Sequence, residues 1–263
     1  MIFNDKVVWI TGASSGIGRA IALALSNNHA KLILSGRHEA ELLATKNACA
    51  HPLDIAILPF DLADYTNLKP IAHKALAFFD HIDILINNGG ISQRALVEET
   101  DILVDKRIME VNYLGTVALT KALLPHFIER KSGRFVVISS VTGKISTPLR
   151  SSYAASKHAL HGFFDSLRAE VFKYNIQVTL ICPGFVQTKV SLNALTGDGT
   201  PLNRMDNTTK NGVTANYLAD KILKAIRQNR QEVAIGHKEI YGILIKRFFP
   251  KLAAKIIRKI DLN

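Results

Sequence analysis

The apolar positions of the chain fall into two alternating kinds of run. Short, nearly unbroken apolar stretches recur at residues 6–10, 31–35, 55–60, 84–86, 134–138, 176–181 and 232–235. Between them lie longer stretches of helical pattern, clearest over 65–79, 102–128, the run from Ser151 to Glu170, and 214–228. A strand buried on both faces reads as a continuous apolar run, and a helix packed on one side repeats every three to four residues. Strands alternating with helices in this way predict a parallel sheet with helices on both faces, a doubly wound α/β architecture of Rossmann type.

Composition bounds this picture without changing it. At 263 residues and 48% hydrophobic, the chain can bury the core of one α/β domain spanning 1–263. Two cysteines, Cys49 and Cys182, stand far apart in apolar or helical surroundings, which argues against a disulfide framework and for a reducing, cytoplasmic setting. The first residues lack the basic and long apolar regions of a signal peptide, and no apolar run approaches the length of a membrane span. Nine histidines are scattered without a metal-binding pattern; His158 and His161 share a helix but have no further ligands beside them, so no metal is expected.

Charge adds one regional feature. The chain carries +11, and the segment 238–259 holds seven basic residues against the single acid Glu239, about half of that excess. The same segment contains Ile240, Ile243, Leu244, Phe248, Phe249, Leu252, Ile256 and Ile257 and is interrupted by Pro250, a pattern of two short basic amphipathic helices. Such helices can lie on an anionic bilayer or cap the domain or a partner copy, and the pattern leaves both open. Nucleic acid is not expected, because net charge is unaccompanied by any zinc-finger or RNA-binding motif.

The candidate chemistry sits where strands end. The first strand runs into Gly12, Ser14, Ser15, Gly16, Ile17 and Gly18 and then into a helix, a turn that offers backbone N–H groups and a helix N-terminus to a phosphate. The second ends at Arg37 with no carboxylate nearby, which points to a 2′-phosphate and hence to NADP(H), with NAD(H) as the weaker alternative. Asp61, the turn at Asn88, Ser140 and the turn from Pro183 to Thr188 end further strands, so one cleft can hold them all. In the helix that follows Ser140, Tyr153 and Lys157 stand four residues apart and project from one face. An ammonium beside a phenol favours the phenolate and would lower its pKa toward neutrality, making Tyr153 a group that exchanges protons at working pH. Asn112, inside a helical pattern with apolar neighbours, sits where asparagine is mildly disfavoured.

Taken together, TGASSGIG (11–18), FDLAD (60–64), NNGG (87–90), Asn112, VVISS (136–140), YAASK (153–157) and PGFVQT (183–188) resemble the short-chain dehydrogenase/reductase family, in its order and spacing over nearly the whole chain. Within that family, the runs around Tyr153 and after Val190 are similar to the dehydrogenase/reductase member 7 group, near the hydroxysteroid dehydrogenases. Gly90 departs from the alanine usual in NNAG. The resemblance implies strand order 3-2-1-4-5-6-7 and carbonyl–alcohol interconversion by hydride transfer. It implies Tyr153 as acid/base, Lys157 lowering its pKa and bonding the nicotinamide ribose, Ser140 orienting the substrate oxygen, and Asn112 holding a water that links Lys157 to solvent. It places Asp61 and Leu62 at the adenine, Asn88 with Gly89 and Gly90 near its ribose, and Pro183, Gly184, Val186 and Thr188 at the nicotinamide.

Residues 189–212 lose periodicity and are rich in Gly, Pro and Asn, which suits a mobile loop that in the family covers the substrate. Phe185, Leu192 and Leu195, with Leu202 and Met205, would give that cover an apolar wall. The expected ligand is therefore a small hydrophobic carbonyl or alcohol of steroid, retinoid or lipid type. A homodimer or homotetramer through the helices of Asn112 and Tyr153 is expected, with peripheral membrane contact open. The competing readings are a cofactor-binding regulatory or scaffold protein without turnover, and a membrane-recruited lipid carrier.

Overall fold

In the computed structural model, which describes residues 2–260, nine strands and ten α-helices follow one another as β1 (Val7–Thr11), α1 (Gly16–Ser26), β2 (Lys31–Ser35), α2 (Glu39–Asn47), β3 (Ile55–Ile57), α3 (Leu68–Leu76), β4 (Ile84–Asn87), α4 (Ile102–Met109), α5 (Gly115–Arg130), β5 (Gly133–Ile138), α6 (Ser151–Val171), β6 (Ile176–Pro183), β7 (Val186–Gln187), α7 (Asn207–Lys210), β8 (Val213–Thr214), α8 (Ala215–Arg227), β9 (Glu232–Ile235), α9 (Gly242–Phe248) and α10 (Pro250–Ile257). Seven strands form one sheet in the order β3-β2-β1-β4-β5-β6-β9, every neighbour parallel. The seventh strand of the expected order is β9, because the two-residue strands β7 and β8 pair with each other outside the sheet.

Alternation along each strand divides the core into two layers. Val8, Ile10, Leu34, Val136 and Ile138 pack with Ile21, Leu25, Leu218 and Ile222 of α1 and α8. Val7, Trp9, Ile33, Leu85, Phe135 and Val137 pack with Ala72, Leu119, Leu123 and Phe164 of α3, α5 and α6. Because both faces are covered, neither set has a polar counterpart, and the strands read as continuous apolar runs. The indole N–H of Trp9 donates to Ser35 Oγ at 2.9 Å, so its one polar atom is satisfied in the core.

Two elements differ from the sequence expectation. The helix expected over 102–128 is interrupted by a π-turn at Glu110–Leu114, between α4 and α5. Such turns insert one extra residue and re-aim the side chains they contain, and this one carries Asn112 into the interior, where it is fully buried. The segment 189–212, expected as a mobile loop over the substrate, is anchored by backbone bonds that the sequence does not show. Leu195 N–H donates to the Ser92 carbonyl and Arg94 N–H to that of Leu195, Asp101 N–H bonds the Gly197 carbonyl, and Ser191 and Asp206 are buried. Among the described residues no helix is long and apolar enough to cross a membrane.

Candidate active site

The carboxyl ends of β1 and β4 are tied together by side chains. Thr11 Oγ1 accepts the N–H groups of Asn88 and Gly89 at 3.0 and 2.9 Å, and Asn88 Nδ2 donates to the carbonyls of Thr11 and Gly12 at 3.0 and 3.1 Å. Gly12 takes a left-handed φ of 64°, and a Cβ on it would lie 2.8 Å from Gly89 Cα. One on Gly18 would lie 2.2 Å from the Gly12 carbonyl oxygen, so these two positions need glycine for conformation and close approach. The result is a backbone cradle at the N-terminus of α1 suited to a dinucleotide's phosphates. Gly16, backed by Thr188 side-chain atoms 3.2–3.3 Å from where its Cβ would be, links the cradle to the turn after β6.

Arg37 is exposed at the end of β2. Asp61 is instead engaged: it accepts from the Ala63 N–H and pairs with Arg107 at 2.9 Å. Burial alone would raise its pKa, but those two contacts and the charge of Arg37 hold it below the usual carboxylate value. Leu62 is buried and packs beneath Gly89, a position in the core as much as in the cleft.

The central cavity is lined by Ser140, Tyr153 and Lys157, by Ile17, Asn88 and Gly90 on one side, and by Pro183, Gly184, Val186 and Thr188 on the other. Ser14, Ser15, Arg37 and Asp61 lie outside this lining, toward β2 and β3. Ser140 Oγ accepts from Thr142 Oγ1 and N–H at 2.8 and 3.1 Å, a support that left no mark in the sequence reading. Asn112 is locked by three bonds, from Ile91 N–H at 2.8 Å, to Ile91 C=O at 2.9 Å and to Ser156 Oγ at 3.0 Å. Ser156 Oγ in turn donates to the Tyr153 carbonyl. The missing methyl at Gly90 would meet Asn112 Oδ1 at 3.0 Å and Lys157 Nζ at 3.6 Å.

The electrostatics correct one expectation. Burial pushes the Tyr153 phenol above its ordinary value, against a hydrogen bond with Ser140 and the charges of Arg150 and Arg94. The spacing along α6 did not point to those two guanidiniums. Lys157 donates to the Ile138 carbonyl at 2.8 Å, its Nζ is 5.7 Å from the Tyr153 ring centroid, and burial pushes its own pKa down to about 8.

The sequence reading passed over three residues here. Arg94 Nη2 pairs with Asp206 at 2.6 Å and Arg150 Nη2 with the same carboxylate oxygen at 3.2 Å, all three side chains almost fully buried. Both arginines flank recognised motifs, in NNGGISQR and RSSYAASK, and the only signal was a charged residue among small and apolar ones. Of the expected apolar wall, Phe185 lines the cavity and Leu192 and Leu195 do not; the segment 189–212 contributes Val190 and Thr209 to the lining instead, beside Ser92 and Arg94, to which Leu195 is bonded. Apolar lining comes from the C-terminal segment instead. A second cavity of about 270 Å³ shares Ser140, Arg150 and Phe185 with the first and is closed by Ile245, Ala253, Ile256, Ile257 and Ile260. Glu239 anchors this cover, accepting the Phe185 N–H at 3.1 Å across Gly184, where any Cβ would collide with the carboxylate.

Behind Ser139 a separate polar cluster joins His161, Cys182 and Glu232. His161 Nε2 lies 3.0 Å from Ser139 Oγ and 3.7 Å from Cys182 Sγ, and its Nδ1 lies 3.3 Å from Glu232, which also pairs with Lys144 at 2.8 Å.

A parallel sheet of this order, a glycine cradle at its first βα turn and a Tyr–Lys pair beside a serine define a class of protein, and comparison agrees. The family model for short chain dehydrogenases matches residues 6–197. The chain belongs to the short-chain dehydrogenases/reductases, NAD(P)-dependent oxidoreductases that act on CH–OH groups. Within that family it is similar to dehydrogenase/reductase SDR family member 7B of Bos taurus, 46% identical over 240 residues that cover 89% of this chain and 74% of that one. It is likewise 45% identical to the SDR family protein 7-like of Drosophila melanogaster, over 88% of this chain and 72% of the relative. A short-chain dehydrogenase from Streptomyces avermitilis superposes with a TM-score of 0.80 at 27% identity, covering 97% of this chain and 96% of that one. The fold also matches a Burkholderia phymatum short-chain dehydrogenase/reductase solved in complex with NAD, TM-score 0.83 at 21% identity, over 100% of this chain and 98% of that one.

Proposed function

We propose that this protein is an NADP(H)-dependent reductase/dehydrogenase that interconverts a carbonyl and a secondary alcohol on a hydrophobic substrate. The observation that carries the reading is the convergence of Ser140, Tyr153 and Lys157 on one cavity that continues into the apolar chamber beneath α9 and α10. When bound, the nicotinamide supplies or accepts the hydride. Tyr153 gives its proton to the carbonyl oxygen in reduction and takes one from the alcohol in oxidation. Ser140, held by Thr142, donates to the same oxygen and orients it. Asn112 braces the segment from Ile91 to Ser156; in this reading Lys157 would present its ammonium to the nicotinamide ribose and Asn112 would hold a water that links Lys157 to solvent.

Gly12, Ser14, Ser15, Gly16, Ile17 and Gly18 take the pyrophosphate, Arg37 the 2′-phosphate, Asp61 and Leu62 the adenine, Asn88, Gly89 and Gly90 its ribose, and Pro183, Gly184, Val186 and Thr188 the nicotinamide end. Residues 1–263 act as one domain, which extends beyond the described residues at both ends, and assemble as a homo-oligomer through α4, α5 and α6. The outer side of the C-terminal helices supports peripheral membrane contact: Tyr241, Leu244, Phe248, Phe249 and Leu252 are exposed among Lys246, Arg247, Lys251 and Lys255.

The test is NADPH oxidation by the full-length protein across steroid, retinoid, fatty-acyl and aromatic carbonyls. Turnover of an apolar ketone that is lost in Tyr153→Phe is the expected result. Tight NADPH binding with no turnover of any class would favour the regulatory reading instead.

A further inference from the structure

We propose that Arg150 and Arg94, clamped on Asp206 beside Tyr153, form a recognition site for an anionic group carried by the substrate. The proposal rests on the oxidoreductase reading for what the site serves, and on the geometry of three buried side chains for its existence.

The charges do not balance. One carboxylate oxygen, Asp206 Oδ2, takes Arg94 Nε and Nη2 at 3.0 and 2.6 Å and Arg150 Nη2 at 3.2 Å. Arg94 spends its remaining fork on Ser92 Oγ and the Gln93 carbonyl, at 2.8 and 2.7 Å. Arg150 does not: it is only 5% exposed, it donates a single bond, and its Nε is buried with no partner among the described residues. The face of the Phe185 ring, 5.5 Å from Arg150 Cζ, offsets part of the charge but accepts no N–H in the guanidinium plane. A buried cation without a full set of acceptors is costly, and burial together with repulsion from Arg94 pushes Arg150 down to about 10. Arg150 lines the cavity with one bond made, so an anion there would give its guanidinium the further acceptors it lacks, and a guanidinium fork matches phosphate or carboxylate geometry.

The surroundings favour the same ligand. Arg94, Arg150 and Lys157 line the central cavity, and no carboxylate is among the described residues that line it. The site is also remote from the end of the cleft where a 2′-phosphate would lie. Arg37 ends β2, whereas Arg150 precedes Tyr153 beside β5, three strands away in the order β2-β1-β4-β5, or about 14 Å at ordinary strand spacing. Arg150 and Phe185 line both cavities, so an anion held there has the reacting oxygen at Ser140 on one side and the apolar chamber beyond. The substrate class this selects is an amphiphilic carbonyl or secondary alcohol whose anionic group lies a few bonds from the reacting carbon.

The test needs no turnover, so its outcome is separate from that of the oxidoreductase reading. Full-length protein loaded with NADPH is titrated calorimetrically with octyl phosphate, octanoate and octanol, which differ only at one end. Wild-type protein should bind at least one of the anions about ten-fold or more tightly than octanol. Which anion binds better names the group. Arg150→Met should cut that preference to about three-fold or less, and Arg150→Lys, which keeps the charge but not the fork, should give an intermediate value. Equal affinity for the three probes in wild-type protein overturns the proposal. So does an undiminished preference in the variants, which would place the anion on the basic C-terminal segment. Should Arg150→Met fail to fold, Arg150→Lys decides alone, an unchanged preference counting against the site.

Discussion

Arg94 and Asp206 meet across 112 residues of chain, with two guanidinium nitrogens on one carboxylate oxygen at 2.6 and 3.0 Å. The pair pins the segment after β6 to the turn after β4, and Arg150 makes it a triad. Removing the carboxylate leaves two buried cations facing each other. Asp206→Asn should therefore destabilise the protein by about 3–5 kcal/mol in urea unfolding, the usual cost of breaking a buried ion pair from one side. A loss below about 1 kcal/mol, the range of surface pairs, would mean that water reaches the cluster.

Tyr153 is the residue on which the proposed chemistry turns. Replacing it by phenylalanine removes the proton and leaves the ring, so NADPH affinity should change little while kcat falls by at least about 10²-fold. Fluorescence titration and single-turnover reduction separate the two, and a parallel loss of both would point to misfolding of α6.

Cofactor choice should rest on Arg37. It is exposed, with the carboxylate of Asp61 already held by Arg107. Arg37→Asp should weaken NADPH by at least about ten-fold while NADH changes little, the loss of one charge-assisted phosphate contact. Equal weakening of both would remove the 2′-phosphate from the account.

Glu232 should leave a signature in acid. His161 first, and then Lys144, hold its carboxyl at about 2 against the opposing effect of burial. A folded-state pKa below the unfolded value near 4.5 stabilises the protein above that pH, and the contribution is lost as pH falls toward 2. The stability difference between wild-type protein and Glu232→Gln should thus be present at pH 6 and shrink steadily below pH ~4.5. A difference independent of pH would mean that Glu232 acts through packing.

The outer apolar face of the C-terminal helices should be dispensable for folding and needed for membrane contact. Leu244, Phe248 and Leu252 are 55%, 65% and 49% exposed, so replacing all three by glutamate removes little buried area. Wild-type protein should float with phosphatidylserine vesicles, and the triple variant should remain at the bottom of the gradient. Flotation of both would assign the binding to the basic charges alone.

The sheet was legible because strands buried on both faces have to be apolar throughout, and short motifs at their ends have to lie at one edge of a parallel sheet; the strand order came from the family resemblance those motifs carry. The same logic brought Ser140, Tyr153 and Lys157 together, since strand-end position and helical spacing are local properties. The interruption at Asn112 was not legible: a π-turn leaves the apolar period almost unchanged, and only the bonds to Ile91 and Ser156 fix it. The anchoring of segment 189–212 was not legible for a related reason, because it comes from bonds to Ser92 and from the buried charge of Asp206, partners about a hundred residues away. Pairwise spacing likewise suggested that Lys157 governs the Tyr153 phenol, whereas desolvation, set by everything packed around it, is the larger effect. The chain alone thus determined what alternates along a strand or repeats along a helix. Tertiary structure decided which charges share a buried space, because Coulomb energy and desolvation depend on distance through the folded interior and not on separation along the chain.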